Sequence, residues 1–276
     1  GAEGVALFRT EFLFMKPSLP SRQEQKRVYE DIAQALEGRS LVIRTMALGG
    51  DKVNPELQTG SEDNPFLGLR GVRLSLERKT IFKKQLKALL ETAVNYNIQV
   101  MFPMVTKLED VLEVKRLIKD CESELKEEGT NFKRPPLGVM IEVPTAVFIM
   151  KELSEEVDFV SFGTNDLLQY MAASDRMNDK VSPWYDPYQP GFLRAIKKAC
   201  DDRSNLHLGM CGDLAADKLL APFWAALGFE ELGVPAASIL PIKKILLEKN
   251  ISDEKEWIQY VLSAKTSEEL KRRLSC

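Results

Sequence analysis

The chain has 276 residues, 44% of them hydrophobic and 29% charged, which suffices for a substantial core and for one large domain. Its formal net charge of -3 gives no global reason to expect nucleic acid or an anionic membrane surface as a partner. No apolar run reaches the roughly 18 residues that a membrane-spanning helix needs, and the N-terminus lacks the pattern of a signal peptide.

The histidine and cysteine content excludes several classes of site. His207 is the only histidine, so histidine-containing triads and histidine metal clusters are excluded. The four cysteines are widely spaced and form no C-x-x-C pair, which suggests neither a zinc site nor a disulfide framework. We therefore expect reduced thiols and a cytoplasmic location.

The first part of the chain alternates strand-like and helix-like segments. Residues 4–12 predict a short buried strand that ends in Arg9, and the stretch from Ser21 to Glu24 predicts a helix cap. Apolar residues then recur at helical spacing and are expected to face the core: Val28, Ile32, Ala35 and Leu36. The next strand, residues 41–43, is again followed by an arginine, Arg44.

A long irregular stretch, residues 47–64, comes after this second strand. A long loop inside a compact domain is more often functional or mobile than decorative. Gly49 and Gly50 would let the backbone approach a ligand closely, and Lys52 could reach that ligand. From Pro65 onward, an amphipathic stretch predicts two successive helices.

Two apolar segments in the middle of the chain each end in a carboxylate. Residues 136–142 and 158–166 are runs of apolar and small residues that end in Glu142 and in Asp166. Runs that are apolar on both faces are typical of a parallel sheet covered by helices, and ligand chemistry is common where such strands stop. Glu142 and Asp166 are therefore candidates for a metal pair, although acids at ordinary strand-to-loop turns would give the same pattern.

The remaining segments complete a pattern of about seven β/α units. Further strands are predicted at 100–103, 206–211 and 232–236, with helices between them. This alternation predicts an α/β fold, a TIM-type (β/α)8 barrel that forms one domain over residues 1–276. A closed barrel of this type needs eight strands, and the first strand begins almost at residue 1. We therefore expect that the barrel lacks its first strand in this fragment.

The carboxyl ends of the predicted strands carry polar side chains that a barrel would bring to one mouth: Arg9, Arg44, Glu142, Asn165, Asp166 and Cys211, with Arg176 shortly after the fifth strand. Guanidinium groups form bidentate hydrogen bonds to carboxylate and phosphate oxygens, and two carboxylates suit an octahedral Mg²⁺ ion. The set predicts a site for a small, highly anionic phosphorylated acid. For any one of the arginines, a surface salt bridge is the alternative interpretation.

Cys211 allows two interpretations. A cysteine at the end of a strand is commonly a small buried apolar residue. Beside an anion site, its thiol could instead transfer a proton to or from a carbon atom, as a general acid.

Several motifs, in the same order along the chain, resemble one protein family. They are residues 1–5 running into 9–15, Arg44-Thr45-Met46 with Gly49-Gly50-Asp51-Lys52, residues 64–70, Gly163-Thr164-Asn165-Asp166-Leu167, Asp175-Arg176 and Gly209-Met210-Cys211-Gly212. Over essentially the whole chain they resemble enzyme I of the bacterial phosphoenolpyruvate-dependent sugar phosphotransferase system. The resemblance implies the C-terminal, phosphoenolpyruvate-binding barrel of that enzyme, acting in the first step of sugar uptake.

This resemblance implies a role for each site residue. Phosphoenolpyruvate would be held by seven residues: Arg9, Arg44, Lys52, Arg70, Asn165, Asp166 and Arg176. Glu142 and Asp166 would ligate Mg²⁺, and Cys211 would protonate the enolate carbon to give pyruvate. The implied partners are a second copy of the chain, and an N-terminal phosphohistidine domain with the phosphocarrier protein that docks on it. His207 is predicted not to be the phosphate acceptor.

Three positions depart from the family pattern, and other functions remain open. Ala47 and Asp213 replace acids usual in the family, the second a glutamate, and Leu168 replaces a hydroxyl residue. A dikinase or synthase barrel that uses phosphoenolpyruvate is one alternative. A dimeric phosphoenolpyruvate sensor and a pyruvate-type aldolase or lyase are the others.

Overall fold

The computed structural model describes residues 1–16, 18–49, 62–249 and 253–275. The chain divides into two compact units. We call residues 3–140 with 156–158 the N-terminal unit, and residues 1–2, 141–155 and 159–276 the C-terminal unit.

The N-terminal unit is built on parallel strands. They are β1 (Gly4–Arg9), β2 (Ser40–Arg44), β3 (Ile98–Phe102) and β4 (Leu137–Ile141), the last residue of which belongs to the other unit. Pairing runs in chain order from β1 to β4 and is parallel throughout. The helices are α1 (Glu11–Phe14), α2 (Arg22–Ala35), α3 (Val72–Glu77), α4 (Lys79–Thr92) and α5 (Leu108–Glu127). A short 3-10 helix covers Pro65–Leu67.

The C-terminal unit repeats the same alternation. Its strands are β5 (Phe159–Gly163), β6 (His207–Cys211) and β7 (Glu231–Leu232), again parallel and in chain order. Its helices are α6 (Pro144–Phe148), α7 (Met150–Ser154), α8 (Thr164–Ala172), α9 (Pro190–Asp202), α10 (Ala221–Ala226), α11 (Ile239–Glu248), α12 (Glu254–Leu262) and α13 (Ser267–Ser275). Three 3-10 helices span Asp179–Trp184, Asp213–Ala216 and Ala236–Ser238. Within the described residues the strands number seven, as the sequence predicted.

The first strand is less buried than predicted. Residues of β1 are half-buried and Arg9 is exposed, whereas β4 and β5 are buried along their whole length. The difference arises because β1 stands at one end of the described strand order and pairs only with β2.

Helix α2 begins as predicted but buries a different face. Ser21 and Glu24 form a capping box, in which each side chain accepts a hydrogen bond from the other residue's backbone N–H. The fully buried positions are Gln25, Tyr29 and Ala33. Val28, Ile32 and Leu36 are half-buried and Ala35 is exposed. The predicted apolar positions therefore lie beside the buried face of α2 and do not form it. The face turns because Gln25 and Tyr29 enter a buried hydrogen-bond chain, described below.

Among the described residues, no helix combines the length and the apolar character needed to cross a membrane.

Candidate functional site

Arg9 and Arg44 lie side by side in the N-terminal unit. Each is the last residue of its strand, and the parallel pairing of β1 with β2 sets Arg9 opposite Arg44 in register. The Thr10 hydroxyl, one residue past β1, donates a hydrogen bond of 2.9 Å to the Arg44 carbonyl and fixes the two strand ends together. The predicted pair of strand-end arginines is therefore formed.

Arg44 is buried and forms an ion pair that the sequence did not reveal. Its guanidinium NH2 group contacts the Glu11 carboxylate on α1, and its NH1 group lies 3.7 Å from the Met140 sulfur. Arg44 Nε and Glu11 Oε2 are both buried and lack a hydrogen-bond partner among the described residues. Buried polar atoms of this kind are rare in folded proteins and often mark a place where a ligand or water binds.

A chain of buried polar side chains lies behind these strand ends. Gln85 on α4 donates to the Thr10 hydroxyl (3.3 Å) and to the Tyr29 hydroxyl (3.1 Å). Its amide oxygen accepts from the Met46 backbone N–H at 3.0 Å, just after β2. Tyr29 in turn donates to Gln25 at 3.2 Å. Gln85 thus forms hydrogen bonds to both segments that follow β1 and β2.

Arg70 is buried and its backbone lies close to Gly49. Its guanidinium lies 5.5 Å from the centre of the Phe66 ring, a cation–π contact. Gly49 has a φ of +103°, and a Cβ there would lie 2.4 Å from the Leu69 carbonyl oxygen. The close approach predicted at Gly49 is therefore made by the chain's own backbone. Gly50 and Lys52, predicted to contact the ligand, lie outside the described residues.

The two predicted metal ligands are both buried and both follow strands. Glu142, 2% exposed, comes directly after β4, and Asp166, 8% exposed, lies in the first turn of α8 after β5. Helices α6 and α8, which begin next to these two residues, pack against each other. No group of three potential metal-binding His, Cys, Asp or Glu side chains occurs within the described residues.

The donor set fits a magnesium ion bound together with substrate. Mg²⁺ is commonly held by one or two carboxylates, with water and substrate phosphate completing its coordination. Glu142 and Asp166 supply that number of carboxylates, without a complete protein cage.

Arg176 is paired with Asp166. Its NH1 atom lies 3.3 Å from Asp166 Oδ2, and its backbone N–H donates to Gln169 Oε1 at 3.1 Å. The structure thus brings together an arginine and an acid that the sequence places ten positions apart. The Arg176 guanidinium therefore lies beside Asp166, one of the two candidate metal ligands.

Asn165 is held by Asp213 in a reciprocal pair. The Asn165 amide donates to Asp213 Oδ2 at 3.1 Å, and its oxygen accepts from the Asp213 backbone N–H at 3.0 Å. Gly212, with a φ of +96°, permits this approach, since a Cβ there would lie 2.6 Å from Thr164 Oγ1. The departure at Asp213 therefore gives a side chain that contacts a predicted site residue.

Cys211 ends β6, opposite Gly163 at the end of β5. Its sulfur is buried and lies 3.5 Å from the Phe162 carbonyl oxygen, and the Thr164 hydroxyl donates to the Cys211 carbonyl at 3.2 Å. The thiol is thereby placed next to the turn that carries Asn165 and Asp166.

His207 lies at the other end of the same strand. It is the first residue of β6, and its Nδ1 atom is 3.2 Å from Glu230 Oε2. It therefore lies at the opposite end of β6 from Cys211.

Three residues near the predicted site were not predicted from the sequence as site residues. Glu11, Gln85 and Tyr185 each contact a predicted site residue or the backbone next to one. Burial raises the pKa of Tyr185, whose hydroxyl lies near Arg176. The only available signal was proximity to a motif, since Glu11 follows Arg9 by two positions.

Comparison with known proteins gives consistent results. The family model for "PEP-utilising enzyme, PEP-binding domain" matches residues 1–251. A phosphoenolpyruvate-protein phosphotransferase from Staphylococcus carnosus is 39% identical over 274 residues, or 98% of this chain and 48% of that protein. The same values apply to the Bacillus subtilis protein of that name. The chain thus spans about half the length of the curated relatives it matches.

A solved structure shows the fold. A citrate lyase from Burkholderia xenovorans superposes with a TM-score of 0.53 at 14% identity, covering 92% of this chain and 77% of that chain. The likeness assigns the seven parallel strands and their helices to the β/α-barrel class, which confirms the predicted fold class.

Proposed function

Because the chain belongs to the family of phosphoenolpyruvate-binding domains of phosphoenolpyruvate-utilising enzymes, we propose that it binds phosphoenolpyruvate and takes part in transferring its phosphoryl group. The resemblance found in the motifs is confirmed by relatives named phosphoenolpyruvate-protein phosphotransferase. The acceptor would be a histidine on an N-terminal domain, which would pass the phosphoryl group to a phosphocarrier protein for sugar uptake.

The observation that carries this proposal is the buried, partly unsatisfied Arg44 beside Arg9. Phosphoenolpyruvate carries a phosphate and a carboxylate, and guanidinium groups bind both as bidentate donors. Arg44 Nε has no hydrogen-bond partner among the described residues, so an oxygen of the substrate would satisfy it. Arg70, Lys52 and Arg176 are the other cations that we propose for the same ligand.

We propose that Glu142 and Asp166 hold Mg²⁺. When bound, the ion would neutralise phosphate charge, which favours the transition state of phosphoryl transfer. Asn165 would contact the substrate through its side-chain amide, which Asp213 orients.

Cys211 is the proposed acid for the carbon atom. When the bond between phosphorus and the enol oxygen breaks, the electron pair remains on the enolate of pyruvate. Transfer of the thiol proton to C3 of the enolate then forms the methyl group of pyruvate and leaves a thiolate, which solvent reprotonates. The burial of Cys211 at a strand end next to Asn165 and Asp166 supports this role.

The test uses the chain with an added N-terminal phosphohistidine domain from a relative. We expect phosphate from phosphoenolpyruvate on the added domain, and exchange of C3 hydrogens of pyruvate with deuterium from solvent. Cys211→Ala should abolish the exchange, while Cys200→Ala, at another buried cysteine on α9, should not. Phosphate on His207 instead would contradict the proposed acceptor.

Three outcomes would favour other functions. Binding of phosphoenolpyruvate without exchange or transfer would indicate a sensor, and condensation of pyruvate with an aldehyde would indicate a lyase. Transfer to a nucleotide rather than to the added domain would indicate a dikinase or synthase. The proposed homodimer is tested separately by sedimentation, and we also propose a cytoplasmic location.

A further inference from the structure

Thr10 and Gln85 join the ends of β1 and β2 through side-chain hydrogen bonds. The Thr10 hydroxyl donates to the Arg44 carbonyl at 2.9 Å and accepts from the Gln85 amide at 3.3 Å. Gln85 Oε1 also accepts from the Met46 backbone N–H at 3.0 Å. The side chains of Thr10 and Gln85 are fully buried. We call these two residues the strand-end clamp, because they connect the residue after Arg9 with the end of β2.

We propose that the strand-end clamp consists of two positioning residues for phosphoenolpyruvate binding, which fix Arg9 in its place relative to Arg44. The inference rests on the proposed function and adds to it two residues that act on the substrate through these arginines.

Strand β1 needs this support because it is held on one side only. Among the described strands it pairs with β2 alone, and its residues are half-buried up to the exposed Arg9. Strand β2 pairs with β1 and with β3, and just past its end the Thr45 backbone N–H donates to the Met101 carbonyl at 3.0 Å. The end of β2 is therefore fixed by its neighbour, and the strand-end clamp attaches the end of β1 to it.

The hydrogen bonds of the strand-end clamp can run in one direction only. A backbone N–H can only donate and a carbonyl can only accept. The Gln85 oxygen must therefore face the Met46 N–H, which leaves its NH2 group for the hydroxyls of Thr10 and Tyr29. Since the Thr10 hydroxyl accepts from this amide, its own proton is directed to the Arg44 carbonyl. One arrangement of the two strand ends satisfies all these groups.

A fixed spacing of the two arginines favours binding of a small anion. Groups that are already in place when the ligand arrives lose less conformational entropy on binding. A buried polar network in which each group has its partner specifies one geometry more strictly than apolar contacts do. Valine in place of Thr10 keeps the shape of the side chain but leaves the Arg44 carbonyl and the Gln85 amide without this partner.

Thr92 and Gln25 are matched controls in the N-terminal unit. Thr92, fully buried on α4, donates from its hydroxyl to the Ala88 carbonyl at 2.8 Å. Gln25, fully buried on α2, accepts from the Tyr29 hydroxyl at 3.2 Å and donates to the Pro20 carbonyl at 3.3 Å. Thr92→Val and Gln25→Met thus remove the same kinds of group without removing a hydrogen bond to either strand end.

The first experiment is calorimetric titration of the full chain with phosphoenolpyruvate and Mg²⁺. We expect Thr10→Val and Gln85→Met each to weaken binding by roughly fivefold, which corresponds to the loss of one hydrogen bond. Thr10→Ser keeps the hydroxyl, so its affinity should stay within about twofold of the wild type. The two control variants should also stay within about twofold.

A double-mutant cycle with Arg9→Met tests whether the strand-end clamp acts through that arginine. Arg9 is exposed, so its replacement leaves the core intact. If Thr10 acts by placing Arg9, Thr10→Val should weaken binding by less than about twofold once the arginine is absent. A purely structural role of Thr10 would weaken binding by the same factor in both backgrounds. Titration to millimolar phosphoenolpyruvate keeps the weaker variants measurable.

The second experiment needs no substrate. Hydrogen exchange of backbone amides, followed by NMR, reports local opening of the two strand ends. We expect Thr10→Val to accelerate exchange at residues 9–11 and 44–46, and Thr92→Val to leave exchange at these residues unchanged.

The outcomes separate this inference from the proposed function. If the wild type does not bind phosphoenolpyruvate, the proposed function fails, and the exchange comparison alone decides whether the strand-end clamp holds β1 to β2. Wild-type affinity in Thr10→Val, an equal effect of Thr10→Val with and without Arg9, unchanged exchange in Thr10→Val, or an equal effect of Thr92→Val would each overturn the inference.

Discussion

Replacing Arg44 with methionine removes a charge from a buried ion pair and keeps an unbranched side chain that covers the length of the arginine's aliphatic part. The Glu11 side chain is only 4% exposed and the Arg44 side chain 11%. In Arg44→Met, the Glu11 carboxylate would stay buried without its partner. Breaking one half of a buried pair typically costs about 3–5 kcal/mol. Stability totals about 5–15 kcal/mol for a typical domain, so the loss should be easy to measure.

Urea unfolding followed by circular dichroism gives the test, with Arg44→Met, Glu11→Gln and the double variant. Each single substitution should lower the free energy of unfolding by about 3–5 kcal/mol. The double variant should lose clearly less than the sum, because it leaves no lone buried charge. Arg39→Met is the control, since Arg39 is 48% exposed and lies 3.8 Å from Glu37 at the surface. It should cost less than about 1 kcal/mol.

Single losses of under about 1 kcal/mol, or losses that simply add, would refute the buried pair. That result would also weaken the case for Arg44 as a fixed anion-binding group, because its orientation is attributed to Glu11.

Three further predictions concern the support of the site and the surface. Gly212→Ala should destabilise the fold strongly in thermal unfolding, because a Cβ there would lie 2.6 Å from Thr164 Oγ1. The control Gly129→Ala, at a glycine with φ +67° and open space around it, should cost only about 1 kcal/mol. Equal losses of stability in the two variants would contradict this prediction. Gln85→Leu should cost about 1–3 kcal/mol in urea unfolding because it strands the Met46 N–H, and a loss no larger than that of the exposed Gln23→Leu would be evidence against it. Hydrogen bonds from Arg116 and Lys79 lower the pKa of Glu113 to about 2. The stabilisation is therefore complete above the ordinary value near 4.5 and is lost as the pH falls toward 2. A ¹³C NMR midpoint near 2 that rises in Lys79→Met would support this, and a wild-type midpoint near 4.5 would not.

Strand ends were predictable because apolar runs stop at polar residues. Arg44 and Cys211 end β2 and β6 as predicted, and Glu142 follows β4 directly. The last strand was placed at 232–236, but β7 is only Glu231–Leu232. Gly233 and Pro235 shorten it, since glycine weakens a strand and proline cannot donate a ladder hydrogen bond.

The partners of the site residues were not predictable from spacing. Gln85 lies 75 positions from Thr10, and Tyr185 lies 20 positions from Asn165. These contacts depend on tertiary packing, which the periodicity of hydrophobic residues along the chain does not reveal. The same cause misplaced the buried face of α2, where hydrogen bonding of Gln25 and Tyr29 outweighs the apolar pattern.

The most direct test of the central claim is calorimetric titration with phosphoenolpyruvate, with and without Mg²⁺, on the wild type and on Glu142→Ala. Glu142 is 2% exposed and follows β4, and we propose that it holds the ion. We expect tight binding to the wild type in Mg²⁺, weaker binding without the ion, and no effect of Mg²⁺ on Glu142→Ala. Failure of the wild type to bind phosphoenolpyruvate, or an equal response of both proteins to Mg²⁺, would contradict the proposed function.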